Sequence, residues 1–179
     1  MAKILGLIFS VVYGFYIVAV LQLQLALGSG DITSYVHFFD ETGNDASVVT
    51  LRGDYAFRIA VFTLTEFFNQ STLAILSYMG FIMSSIIVYI YFVKIRSQKY
   101  LIYILPLFLM VFFTPNVQVL FSSSLRSGIA FTVLMVAFVY FKGVSKYILF
   151  GLSSVIHLSM LPILFLYYLF YMLNNKRIK

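Results

Sequence analysis

The chain has 179 residues, of which 62% are apolar, 19% aromatic and only 10% charged, with a mean hydropathy of +1.00. A soluble core of this length cannot hide so many Phe, Tyr, Ile and Leu side chains, so the composition excludes an ordinary soluble domain and points to the membrane class. The net charge of +6 comes from 12 basic and 6 acidic residues, and the bases cluster between or after apolar runs, which argues against nucleic acid as the partner. The absence of cysteine excludes disulfides, thiolate metal sites and thiol nucleophiles.

A membrane-crossing helix needs about 20 mostly apolar residues. The first candidate, 4–27, carries no charge. Its Ala26-Leu27-Gly28 end resembles a signal-peptidase site, but the run exceeds the roughly 7–15 apolar residues of a signal peptide, so a retained helix is expected. A polar segment, 28–54, follows. All six acids of the chain lie between Asp31 and Glu66. Within that segment Asp31, Tyr35 and Phe39 fall at i, i+4 and i+8, a helical stripe with an acid at one end. Residues 55–68 set Phe57, Ala60, Val61, Leu64, Phe67 and Phe68 against Arg58, Thr65 and Glu66. That pattern predicts an amphipathic helix, too short to cross and lying in the interface.

Further crossings are predicted over 72–93, 100–121, 125–141 and 147–173. The 100–121 run is interrupted by Thr114-Pro115-Asn116 and is short for a full crossing, so a partly re-entrant path is the alternative. Ser122, Ser123 and Ser124 supply N-cap residues for the helix after it. The predicted fold is an all-α integral membrane protein forming one domain over 1–179. It has about five transmembrane helices plus one amphipathic interfacial helix, after an extracytoplasmic loop within 28–71. By the positive-inside rule, Lys3, the 94–99 cluster and Lys142–Lys146 share the cytoplasmic side. Five crossings then leave the basic tail 174–179 outside. Either one weak run does not cross, or the chain is the front portion of a longer protein.

Two ionisable residues stand in the acid-free part of the chain. Such groups at membrane depth are costly and mark function by default. Arg126 opens the 125–141 helix, where unpaired N–H groups, a positive dipole end and a planar guanidinium suit a phosphate. The other reading is an arginine that snorkels to lipid phosphate. His157, flanked by Ser153, Ser154 and Ser159, can accept a proton from a sugar hydroxyl near neutral pH. The other reading is a structural histidine bonded across a helix interface. If the turn at 142–146 joins antiparallel helices, His157 comes level with Phe131, roughly 7–8 Å deeper than Arg126.

The acidic segment adds Asp31 with Tyr35, and Asp54 with Tyr55, Arg58 and Glu66. Carboxylates beside aromatic rings suit sugars, although a solvated face has the same pattern. The spacing of calcium loops, zinc signatures, phosphate loops and serine-hydrolase elbows is missing. No metal and no cofactor are expected.

The order of these features resembles the EpsG family of Wzy-like polymerases, which join exopolysaccharide or O-antigen repeat units. The resemblance is carried by Asp31-x-x-x-Tyr35, by Tyr55 with Phe62-x-x-x-Glu66-x-Phe68, and by Leu125-Arg126-Ser127-Gly128-Ile129-Ala130 followed by Ile156-His157-Leu158-Ser159. It runs from Asp31 to Tyr171. Family members are about twice this length, so the resemblance implies that the chain is an N-terminal half and that the misplaced tail is an early end.

The resemblance further implies a glycosyltransferase of the bacterial inner membrane. It would act at the outer face on glycans linked to undecaprenyl diphosphate, beside other polysaccharide-export proteins. Arg126, His157, Asp54 and Glu66 would be catalytic, and Asp31, Tyr35, Tyr55 and Arg58 would bind substrate. The rival readings are a transporter or flippase component for a lipid-linked or anionic solute, and a non-catalytic part of an export complex.

Overall fold

In hydrocarbon the backbone has no water to bond, so each apolar run satisfies its own N–H and C=O groups by coiling into a helix. The computed structural model describes residues 2–29, 31–42, 55–94, 101–122, 124–158 and 160–176. Every regular element among them is helical: α1 (Ala2–Ala26), α2 (Asp31–Thr42), α3 (Tyr55–Phe68), α4 (Thr72–Lys94), α5 (Leu101–Phe112), α6 (Pro115–Ser122), α7 (Leu125–Tyr140), α8 (Val144–Ile156) and α9 (Met160–Lys176). The basic residues between 95 and 99 lie outside the described residues.

The spine of the fold is the antiparallel pair α1 and α4. Ser85 donates to the Ser10 carbonyl at 3.0 Å, Phe9 stacks on Phe92 at 5.1 Å between ring centroids, and Phe15 meets Phe81 at 5.1 Å. Lipid tails are as apolar as the side chains, so close packing rather than water exclusion draws such helices together. Gly14 permits the approach: a Cβ there would stand 2.5 Å from Ser85 Oγ and 2.7 Å from the Phe81 ring. The pairing sets Lys3 beside the Lys94 end.

Two helices, α1 and α4, are long and apolar enough to cross a membrane, and α5 with α6 makes a third if the bent pair is one span. Among the described residues five crossings are not shown. The 100–121 run breaks at Phe113–Thr114, where α5 and α6 meet at 65°, because Pro115 disfavours helical geometry at Thr114. The freed backbone groups find partners. Tyr13 donates its hydroxyl to the Phe112 carbonyl at 2.6 Å, Gln118 donates to the Phe113 carbonyl at 2.9 Å, and Thr114 donates to the Val111 carbonyl at 2.8 Å. The helix after it, α7, has 16 residues, short of a crossing. Its N-cap position is Ser124, which makes no side-chain cap. Ser122 belongs to α6 instead, with its hydroxyl on the Gln118 carbonyl.

The last run, read as one span over 147–173, is a hairpin. The chain leaves the helix at His157, whose backbone is extended, and re-enters it at Met160. Tyr147 then stacks on Tyr168 at 6.0 Å, which shows α9 running back along α8. Lys146 fastens the open end. Its ammonium donates to the Tyr167 hydroxyl at 3.0 Å and lies 4.8, 5.3 and 4.8 Å from the ring centroids of Phe138, Phe150 and Tyr167.

The polar segment after α1 also departs from a plain loop. Asp31–Thr42 is helical and buries Ile32, Tyr35 and Phe39; Tyr35 and Phe39 belong to the stripe read from the i, i+4, i+8 spacing, and the side chain of its first member, Asp31, lies outside the described residues. In α3 the buried positions are Phe57 and Val61, whereas Phe67 and Phe68 are exposed.

The hairpin changes the side on which the tail falls. Since α9 returns toward the Lys146 end, the basic tail is expected on the same face as Lys3 and Lys142, with no conflict with the positive-inside rule. The chain has no cysteine, so single cysteines can be placed cleanly. An impermeant maleimide is expected to label Lys142→Cys and Lys176→Cys from one face and Asn69→Cys from the opposite face. Labelling of positions 176 and 69 from the same face would show that α8 and α9 cross together.

Candidate functional site

Two helix interruptions, α6–α7 and α8–α9, lie at a similar depth of the bundle. The Gly80 position of α4 lies against the Phe121 carbonyl at the end of α6 and against Leu125 at the start of α7, with 2.9 and 3.6 Å separating them from a Cβ built there. Eight residues of helix separate Gly80 from Thr72, so α7 begins about 12 Å inside the outer end of α4. Gly128 is needed for this fit, since a Cβ at that position would stand 2.5 Å from the Leu120 carbonyl.

The register of α7 against α8 is fixed by a buried bond. Ser153 donates its hydroxyl to the Ala130 carbonyl at 2.8 Å. Arg126 is four residues before Ala130 and His157 four residues after Ser153, on antiparallel elements. Each step covers roughly 6 Å, which brings His157 level with Arg126 rather than 7–8 Å deeper. The earlier estimate assumed a turn centred near residue 144. The turn actually occupies 141–143, and the Ser153 bond advances α8 past it.

Arg126 is half-buried and held from above by α2. Its Nε donates to the Tyr35 hydroxyl at 2.7 Å, and its guanidinium carbon lies 5.9 Å from the Tyr35 ring centroid. Tyr35 is in turn packed on Phe57 of α3, with 5.1 Å between ring centroids. The arginine is thus engaged by protein rather than extended along the outside of the bundle. It opens a helix whose first turn carries no acid and no side-chain cap, so the positive end of the α7 dipole and a fixed cation coincide.

His157 sits where α8 ends, partly exposed. Its backbone N–H is bonded to the Ser153 carbonyl at 3.0 Å, and its carbonyl accepts the Met160 N–H at 3.0 Å. Ser153 and Ser154 do not serve its imidazole, since their hydroxyls go to the carbonyls of Ala130 and Phe150. Ser159 lies outside the described residues. The structural reading needed a bond across the helix interface, and none to the ring occurs among the described residues.

The remaining sequence candidates divide. Tyr35 meets Arg126 directly. Arg58 follows Phe57 on α3, with its Nε and Nη1 atoms buried, and α3 also touches α8. Glu66 is exposed, eight residues and about 12 Å of helix from Arg58. Asp31 and Tyr55 open α2 and α3, but their side chains, like the whole of Asp54, lie outside the described residues. One residue was passed over in the sequence: Gln24, near the α2 end of α1, buries an Oε1 with no hydrogen-bond partner. Its signal was an amide inside an otherwise apolar run. Among the described residues no three His, Asp or Glu side chains converge.

Set against protein-family models, curated proteins and solved structures, the chain matches none of them. What it is rests on its own geometry: a helical protein with helices apolar enough to span a membrane, and with Arg126 and His157 at two helix ends.

The Tyr35–Arg126 bond predicts how firmly α2 is held. A hydrogen bond to a charged group contributes about 1.5–3 kcal/mol when both partners are withdrawn from water, and less at partial exposure. Tyr35→Phe keeps the ring contact with Phe57 and is expected to lower the Tm in detergent by a few degrees, about 1 kcal/mol. An unchanged Tm would mean that α2 is held without this bond.

Proposed function

We propose that Arg126 and the start of α7 bind the diphosphate of a lipid-linked glycan, and that the protein is a membrane polymerase of polysaccharide repeat units, of the EpsG and Wzy-like type. The observation that supports this most is the level placement of Arg126 and His157 at two helix ends, with Tyr35 holding the guanidinium in place. A cation at an uncapped helix N-terminus favours a phosphate, and the imidazole without a ring partner is suited to take a proton.

In the reaction, the acceptor hydroxyl gives its proton to His157 while its oxygen bonds to the anomeric carbon of the donor sugar. The bond from that carbon to the diphosphate oxygen breaks, and its electron pair leaves with the diphosphate. Arg126 offsets the charge that develops there, a preorganised electrostatic role. Half-buried Arg58 would bind substrate from α3, with Tyr55 as a stacking face, Asp31 as a hydroxyl acceptor and Tyr35 fixing the guanidinium of Arg126. Asp54 and Glu66 are the alternative bases. The setting is the bacterial inner membrane with substrates at the outer face, as part of a five-span arrangement or a three-span one with a re-entrant hairpin.

A transporter of a lipid-linked or anionic solute is the second reading, and the helix breaks favour it. Discontinuous helices whose N-termini face an anionic group are a recurrent device of transport sites. Turnover separates the two. With lipid-linked repeat units as substrate, Arg126→Ala is expected to lower polymerisation about 100-fold or more, and Arg126→Lys to recover part of it. His157→Ala is expected to lose about 100-fold. If labelled substrate crosses the bilayer with its linkages unchanged and both variants leave chain length as it was, the polymerase assignment falls.

A further inference from the structure

At the opposite end of the bundle from Arg126, a groove of about 610 Å³ opens between α1, α4 and α7. Its walls include Ile4, Leu7, Tyr89 and Ile90, and Lys3 and Tyr140 stand in its lining. Along α1 it extends from Lys3 to Ser10, about 10 Å of helix. That fits within the ~15 Å of hydrocarbon in one leaflet, half of a typical bilayer core. Ile4 and Leu7 are more than half exposed, so the walls are open to the surroundings rather than closed by protein.

The charge of this groove is uncompensated in sequence. The three helices that form it, spanning 2–26, 72–94 and 125–140, contain no Asp or Glu. All six acids belong to 31–66, the segment that joins the far ends of α1 and α4. Lys142 follows Tyr140 by two residues and is exposed, which adds a second cation at the same face. An apolar trough with Lys3 at its mouth, Lys142 farther out on the same face and Tyr89 and Tyr140 along its wall matches one kind of molecule. It would place a chain in the trough, an anionic head at the lysines, and the ester region beside the tyrosines, where such rings favour the interface.

We propose that this groove is a binding site for one anionic phospholipid of the leaflet on the basic face, with its acyl chain along Leu7 and Ile90 and its phosphate at Lys3. The site is distinct from the Arg126 site and does not depend on the reaction assigned there. Anionic lipid gains about 1 kcal/mol per lysine near the surface, close to a fivefold preference.

The test uses the purified full-length chain in detergent, with palmitoyl-oleoyl phosphatidylglycerol and phosphatidylcholine supplied together and retained lipid counted by native mass spectrometry. The wild-type chain is expected to keep one phosphatidylglycerol with at least a fivefold preference. Lys3→Gln should lower that preference about fivefold. Leu7→Trp, which fills the trough and leaves the charge in place, should abolish retention. Both positions are exposed, so neither change threatens the helix packing, and the Tm of each variant checks this. Equal retention of the two lipids by the wild type, or either variant behaving as wild type, overturns the proposal.

Discussion

A helix that ends inside an apolar layer leaves carbonyls and amides with no water to meet them, and the rest of this fold is arranged around that constraint. At the α5–α6 bend the solution is side chains from two directions: Tyr13 reaches from α1, and Gln118 and Thr114 reach from the chain itself. At the end of α6, Ser124 donates its N–H to the Val119 carbonyl at 2.8 Å. At the α8–α9 break, His157 and Leu158 lend their carbonyls to the amides of Met160 and Leu161. The positive end of α7 is treated differently, with no acid and no side-chain cap.

The aromatic cluster around Tyr13 gives the bend its support. Phe108, Phe112 and Phe113 surround that ring at 5.5–6.0 Å between centroids, and Phe92 stands 5.2 Å from Phe108. Edge-to-face pairs of this kind contribute roughly 0.5–1.5 kcal/mol each beyond their contact area. They hold α5 to the α1–α4 spine at the height where α6 must turn aside. Because α6 turns aside, α7 starts partway along α4, with Leu125 buried against Gly80.

How much of this was legible in the sequence varies with the kind of signal. Long uncharged runs gave α1 and α4 with their bounds nearly correct, because length and hydropathy are local properties. The stripe of Asp31, Tyr35 and Phe39 gave the buried face of α2. The last run misled: its apolarity is continuous through Ile156-His157-Leu158, and hydropathy carries no mark of a chain reversal. The marks that did exist were His157 and its serines, and these were read for chemistry or for a bond across a helix interface, not for a reversal. The level of His157 against Arg126 could not be read from loop length, since it depends on which carbonyl Ser153 finds. The two or three helices long enough to cross are the ones that composition marks most strongly, and the shorter apolar helices after them carry no such mark.

Lys146 lies at the base of the α8–α9 hairpin, enclosed by three rings and bonded to a fourth group on the same tyrosine that supplies one of them. Cation–π contacts reach about 2 kcal/mol when desolvated, so this end of the hairpin resists separation from α7. The other end is packed as well: Ile156, Met160 and Leu164 share one apolar cluster with Ala130 and Leu134 of α7, beside the Ser153 hydroxyl on the Ala130 carbonyl. A hairpin referred to α7 at both its base and its tip keeps its register without help from the loops. The level of His157 against Arg126 is therefore a property of helix packing.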